Sequence, residues 1–169
     1  MFWNEAGIDP RRSYRFRLGS TDGLILSSTG QSPIWWNAKK VDKPSFSVSS
    51  NKYRLINHEI NMPGIISWNP ITIEVADIGD TVKTLLDQLK DFGYSPKNLA
   101  DDKGLSKSNG SSHIGDIRIQ QFDGAGKIIE TWKLEGAYIT ELRFGNLDYT
   151  SDEIINLNMT ITYDYAYLD

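Results

Sequence analysis

Cysteine is absent from the 169-residue chain, which excludes disulfides, thiolate catalysis, zinc-finger sites and cysteine-ligated iron–sulfur clusters together. Histidine is scarce. His58 and His113 are the whole supply, so imidazole metal centres and Ser-His triads have little to build from. Apolar runs last only a few residues, against the roughly 20 that a membrane helix needs, and no membrane-spanning segment is expected. From Met1 to Gly7 an acid stands at Glu5 with no apolar stretch behind it, so the start does not read as a secretory signal; synthesis in a cytoplasm is the expectation. Positive charge is in deficit too. Lys plus Arg number 18 against 22 Asp plus Glu, a net −4, the wrong sign for a domain that grips phosphate backbones.

What remains is ordinary for a globular chain. Hydrophobic residues make up 39% and, with the 14 glycines, the apolar share comes to about 47%, inside the usual range. The length suits a single domain over residues 1–169. Apolar and polar residues alternate over much of it, the period of half-buried strands, so the fold class is mainly β. From Glu153 to Tyr165, Ile155, Leu157, Met159, Ile161, Tyr163 and Tyr165 share one face, and Asn156, Asn158, Thr160, Thr162 and Asp164 share the other. Shorter strands are expected at Tyr14 to Leu18 and Ile71 to Ala76. A hairpin of Ile114 to Phe122 and Lys127 to Leu134 should close around Asp123-Gly124-Ala125-Gly126, with Tyr138 to Phe144 continuing the meander after Glu135-Gly136.

One segment has helical spacing. Val82, Leu85, Leu86, Leu89 and Phe92 form a single apolar stripe, with Asp80 as N-cap and Gly93 as stop residue, giving one helix over about residues 81–92 that packs against a sheet. Residues 101–113 hold Leu105 as their one large apolar side chain and read as a long loop. Residues 1–10 read as an arm carrying Phe2 and Trp3.

Enzyme chemistry finds no local signature. His58-Glu59 begins like a zinc-protease helix, but Met62 stands where the second histidine belongs. Gly124-Ala125-Gly126 lies between two strands, whereas phosphate-cradling loops run from a strand into a helix. No Gly-x-Ser-x-Gly elbow occurs. The chain reads as a non-enzyme without cofactor or metal.

The informative residues are those that are awkward for a lone monomer. Trp35 and Trp36 are adjacent, so in a strand they point to opposite faces and one of them needs cover outside a single core. Phe2 and Trp3 either fold back on their own domain or dock on a neighbour. The face made by Asn156, Asn158, Thr160, Thr162 and Asp164 is either plain solvent-facing surface or a smooth, wet wall without cations to hold a passing polyanion.

Five blocks in order carry a family resemblance: Ile8 to Phe16 (IDPRRSYRF), Trp36 to Phe46 (WNAKKVDKPSF), Ile56 to Gly64 (INHEINMPG) through Trp68-Asn69, Phe144 to Tyr149 (FGNLDY) and Leu157 to Ala166 (LNMTITYDYA). Together they resemble tail tube proteins of contractile-tailed bacteriophages, a family related to haemolysin-coregulated proteins of bacterial secretion machines. The resemblance spans nearly the whole chain, with the helix in the middle as in that family. Residues 101–113 match nothing in it.

The resemblance implies a small antiparallel β-barrel or sandwich with one flanking helix, assembling through shared β-sheets. It implies homo-hexameric rings stacked into the inner tail tube, a conduit for genome ejection through the host envelope, within a virion made in a bacterial cytoplasm. Partners would be the tail sheath, the baseplate tube initiator, the tape measure and the tail terminator, while phage DNA crosses the lumen without specific binding. About two dozen strands ~4.8 Å apart and tilted ~40° enclose a backbone diameter on the order of 48 Å, room for a duplex. A hairpin from about Ile34 to Ile60 would supply inner wall and contacts between rings, with Pro63-Gly64 turning the chain away. Inter-subunit candidates are Phe2, Trp3, Trp35, Trp36, Lys39, Lys40, Lys43 and His58, some of the lysines in salt bridges between subunits. The lumen candidates are Asn156, Asn158, Thr160, Thr162 and Asp164. Alternatives are a baseplate tube initiator or injection-system tube protein of the same fold and, from another class, a monomeric β-sandwich binding module with Trp35, Trp36 and Trp132 lining a ligand pocket.

Overall fold

The alternating segments do become strands, and the computed structural model describes residues 11–20, 37–91, 93–94, 104–107 and 116–169. The arm at 1–10, Trp35, Trp36 and most of 101–113 lie outside them. Strands β1 (Phe16–Ser20), β6 (Ile117–Phe122), β7 (Ile128–Glu135) and β10 (Tyr165–Leu168) form one antiparallel sheet in the order β1-β6-β7-β10. Strands β2 (Ala38–Val41), β5 (Ile71–Ala76), β9 (Asn156–Thr162) and β8 (Tyr138–Arg143) form a second, in the order β2-β5-β9-β8. Two long strands, β3 (Ser45–Leu55) and β4 (His58–Asn69), pair with each other and join neither sheet.

The sheets bury their apolar phases against one another in one core. Leu18, Ile117, Ile119, Leu134 and Ala166 come from the first sheet, and Ile71, Ile73, Val75, Leu157, Met159 and Ile161 from the second. The register sets Ile71 opposite Ile161, Ile73 opposite Met159 and Val75 opposite Leu157, so β5 and β9 present a continuous apolar row. Of the two forms expected, barrel or sandwich, the described residues make the sandwich, with no closed barrel.

Helix α1 (Thr81–Asp91) flanks it. The Thr81 hydroxyl donates to the Ile78 carbonyl at 2.7 Å. At the other end Gly93 takes φ of +109°, and the N–H groups of Gly93 and Tyr94 donate to the carbonyls of Lys90 and Leu89, the paired bonds of a Schellman stop. Leu85 is buried and Val82 packs on the core. Leu86 and Leu89 stay exposed, so the core covers two of the four stripe residues that are described.

Three expectations change. The strand expected to run on from Glu153 to Tyr165 ends at Thr162; the chain then crosses to the other sheet, where Asp164 N–H donates to the Glu135 carbonyl at 3.0 Å and β10 pairs with β7. That crossing takes Asp164 off the Asn/Thr face, and its carboxylate receives Lys107 at 2.5 Å instead. Likewise β8 leaves the meander at Gly136, whose φ of +65° redirects the chain, and pairs with β9. Finally, Pro63-Gly64 does not turn the chain. Both residues lie inside β4, and the hairpin spans residues 45–69 with its turn at Ile56-Asn57.

Core truncation should be costly. With Ile73 fully buried, Ile73→Ala is expected to lower stability by about 2–5 kcal/mol, read as a shift of the urea midpoint at constant slope.

Candidate functional site

The β3–β4 hairpin joins neither sheet, and every residue of it apart from Gly64 and Trp68 is exposed on both strands. Residues directly opposite one another share a face, and the register pairs Phe46 with Trp68, Val48 with Ile66, Tyr53 with Ile60, Asn51 with Met62 and Arg54 with Glu59. Between Val48 and Ser50 the pairing shifts by one residue on the β4 side, a bulge. Gly64 is required there, since a Cβ on it would lie 2.3 Å from Ser49 Oγ, which accepts the Ile65 N–H at 2.9 Å.

Following the alternation through the bulge separates two apolar surfaces. Near the root, Phe46, Val48, Ile66 and Trp68 share one face, and the Phe46 and Trp68 rings meet at 5.4 Å. Toward the tip that same face turns polar, with Lys52 bridging to Glu59 at 3.4 Å. The opposite face runs the other way: Ser45, Ser47, Ser67 and Asn69 at the root, then Tyr53, Leu55, Ile60 and Met62 at the tip. Ile56 at the turn is 101% exposed and Ile65 78%. Within the root patch Trp68 packs on the sandwich, 5.9 Å from Tyr163, while Phe46, Val48 and Ile66 are exposed like the tip residues; among the described residues no member of the tip patch packs on the core.

A second surface is the outer face of β9. Asn156, Asn158, Thr160 and Thr162 share it, opposite the buried Leu157, Met159 and Ile161. Thr72 and Glu74 on β5, and Glu141 and Arg143 on β8, stand beside them in register. One charge pair on it is closed locally, Arg143 on Glu141 at 2.7 Å, and Lys39 donates to the neutral Asn156 Oδ1 at 2.6 Å.

A third feature joins the hairpin root to the first sheet. The Glu130 side chain on β7 is only 9% exposed. Its carboxylate accepts Lys43 Nζ at 2.9 Å, the Trp132 indole N–H and an Arg11 guanidinium N–H. Burial pushes this carboxyl up, but the Lys43 and Trp132 hydrogen bonds and the Lys43 and Arg11 charges outweigh it and hold it below its ordinary value.

Between α1 and β8 a groove of about 630 Å³ is lined by Leu85, Leu86, Leu89, Leu105, Ile139 and Leu142, among others. No group of three His, Asp or Glu among the described residues is placed to hold a metal ion, and no helix there is long and apolar enough to cross a membrane.

Solved structures share this arrangement from end to end. A chain from the sheath-tube complex of the extracellular contractile injection system PVC, in the extended state, superposes with a TM-score of 0.66 over 97% of this chain and 94% of that one, at 21% identity. A chain from the same system's sheath/tube terminator gives 0.69 over 97% and 99%, at 22% identity. The chain has the tube-protein fold. An Hcp protein matches more distantly, with a TM-score of 0.52 over 92% and 90% at 18% identity. No protein-family model and no curated protein matches the chain.

On this tube fold the residues expected from sequence fall in three groups. Phe2, Trp3, Trp35 and Trp36 lie outside the described residues. Lys40 and His58 are exposed, Lys40 opposite Glu74 at the sheet edge and His58 beside the hairpin turn. Lys39 and Lys43 bond within their own chain. Trp132, expected at a ligand pocket in the binding-module reading, bonds Glu130 and does not line the groove. Sequence reasoning passed over Glu130 itself. The available signal was an acid in the inward phase of β7, between Ile128 and Trp132.

A carboxyl held low by folding stabilises the fold above its ordinary titration range, and that contribution is lost as pH falls through the lowered folded value. Glu130→Gln should cost about 1–3 kcal/mol at neutral pH and flatten the acid limb of the stability profile, measured by urea unfolding at stepwise lower pH.

Proposed function

We propose that this protein is a structural subunit of a contractile particle, stacking as six-membered rings into its inner tube, and that it performs no catalysis. The observation that carries this is the tip of the β3–β4 hairpin, where Tyr53, Leu55, Ile56, Ile60 and Met62 are exposed on a ribbon that projects from its own core. Two-stranded ribbons are marginal alone in water. Full burial of each such side chain is worth about 1.5–3 kcal/mol, so docking on a neighbour favours assembly strongly.

The end-to-end match to chains from a sheath-tube complex and its terminator supports a place within such a particle, beside a sheath and between a baseplate and a terminator. The Asn/Thr face of β9 suits a wet inner wall. With a net −4 per subunit, a six-membered ring carries roughly six times that, which discourages a polyanion such as phage DNA from sticking as it passes. The machine is then a phage tail ejecting its genome or a related injection system, and the same fold also serves a baseplate initiator.

Electron microscopy of the purified protein at high concentration, with and without baseplate, is expected to show six-fold rings or tubes. A monodisperse 19.1 kDa species under both conditions would refute the proposal. Replacing the cross-strand pair, Tyr53→Ser with Ile60→Ser, should cut assembly at least tenfold while leaving the melting temperature within a few degrees. Deleting residues 1–10 should weaken polymerisation with the fold intact, since Phe2 and Trp3 are proposed to anchor on a neighbour.

A further inference from the structure

The hairpin is tied to its domain at few points. On the β4 side Pro70 alone separates it from β5, and Trp68 leans on Tyr163. On the β3 side the chain between β2 and β3 is held twice: Asp42 N–H donates to the Thr72 carbonyl at 3.1 Å while Asp42 Oδ2 accepts the Thr72 N–H at 3.3 Å, which fixes the linker to β5, and Lys43, two residues before the hairpin begins, fixes it to the first sheet. Lys43 Nζ donates to both Glu130 Oε1 and Gln121 Oε1, each at 2.9 Å. The same carboxylate gathers Arg11, where the described chain starts, and Gln121 Nε2 donates to the Arg12 carbonyl at 3.4 Å. One buried acid thus meets two cations from segments far apart in sequence, one leading out to the N-terminal arm and the other to the hairpin.

We infer that Glu130 is a positioning residue for assembly: by holding Lys43 and Arg11 at one point, it sets the direction in which the hairpin leaves the sandwich and ties Arg11 to the same reference. The inference rests on the hairpin being the assembly element. A half-exposed lysine on an exposed carboxylate would contribute little and wander. Here the acceptor is buried, fixed by the Trp132 indole, and flanked by a second acceptor at Gln121, so the ammonium has a defined resting place. The same contacts stabilise the chain, and the direction they give the hairpin is a separate property, read by distance rather than by unfolding.

Because the chain lacks cysteine, spin labels attach only where introduced. Asn57→Cys at the hairpin turn and Ala125→Cys at the β6–β7 turn give one tip-to-body distance, read by pulsed electron paramagnetic resonance on the unassembled full-length protein. The parent should give a narrow distribution. Both Glu130→Gln and Lys43→Gln should widen it at least twofold, with unchanged circular dichroism for Lys43→Gln, and Lys43→Arg should restore it. If Glu130→Gln fails to fold, Lys43→Gln decides. A distribution as narrow in the folded glutamine variants as in the parent overturns the inference. Tube formation by the unlabelled variants separates this from the assembly proposal: widened distances with parental tube yield leave Glu130 as the hairpin's guide and remove the hairpin from assembly. Narrow distances, alongside assembly lost in the Tyr53→Ser, Ile60→Ser variant, do the reverse.

Discussion

Every other feature depends on the apolar row where β5 meets β9 inside the sandwich. Ile71, Ile73 and Val75 face Ile161, Met159 and Leu157 across the ladder, and each of these side chains is essentially sealed from water. This row lets the opposite phase of β9 be purely polar, because the strand's stability is already provided from behind. It also anchors the hairpin, since β4 runs through a single proline into β5. The ribbon therefore springs from an interior strand of the second sheet, one whose core-facing side chains are fully buried.

The hairpin solves a geometric problem that a uniform amphipathic ribbon cannot. With one apolar face it would lie flat on its own domain or pair with a copy of itself. On β3 the apolar positions change phase between Val48 and Tyr53, and the extra residue on β4 beside Ser49 carries Ile60 and Met62 to the same new face, so the apolar surface lies on one face near the root and on the other near the tip. The root patch can then look to the parent domain while the tip patch looks the opposite way. Surfaces that differ in this manner make heterologous contacts, the kind that close into rings or run on as filaments.

Much of this architecture was legible in the sequence, for reasons that differ by element. The Asp123 to Gly126 turn was readable because its chemistry is local: Asp123 Oδ1 takes the N–H groups of Ala125 and Lys127, and Gly126 adopts φ of +80°. Helix α1 was readable from its stripe and its glycine stop. The length of the hairpin was not, because Pro-Gly ordinarily marks a turn and nothing local reveals that Ser49 across the ladder will accept the Ile65 N–H. The break at Tyr163-Asp164 was hidden by unbroken alternation, since a strand that changes sheets keeps its period. Among the candidate residues, the Asn/Thr face of β9 followed from periodicity alone, whereas the engagement of Lys43 by Glu130 joins positions 87 apart that no spacing rule connects.

Ribbon length adds a mechanical consequence. The eleven residues of β3 reach about 35 Å at the usual rise per residue. A swing of ten degrees at the root therefore carries the tip ~6 Å sideways, more than the spacing between neighbouring strands. Small angular errors near Ser45 become whole-strand misplacements at Ile56, so the hairpin behaves as a lever whose accuracy is decided at its short end.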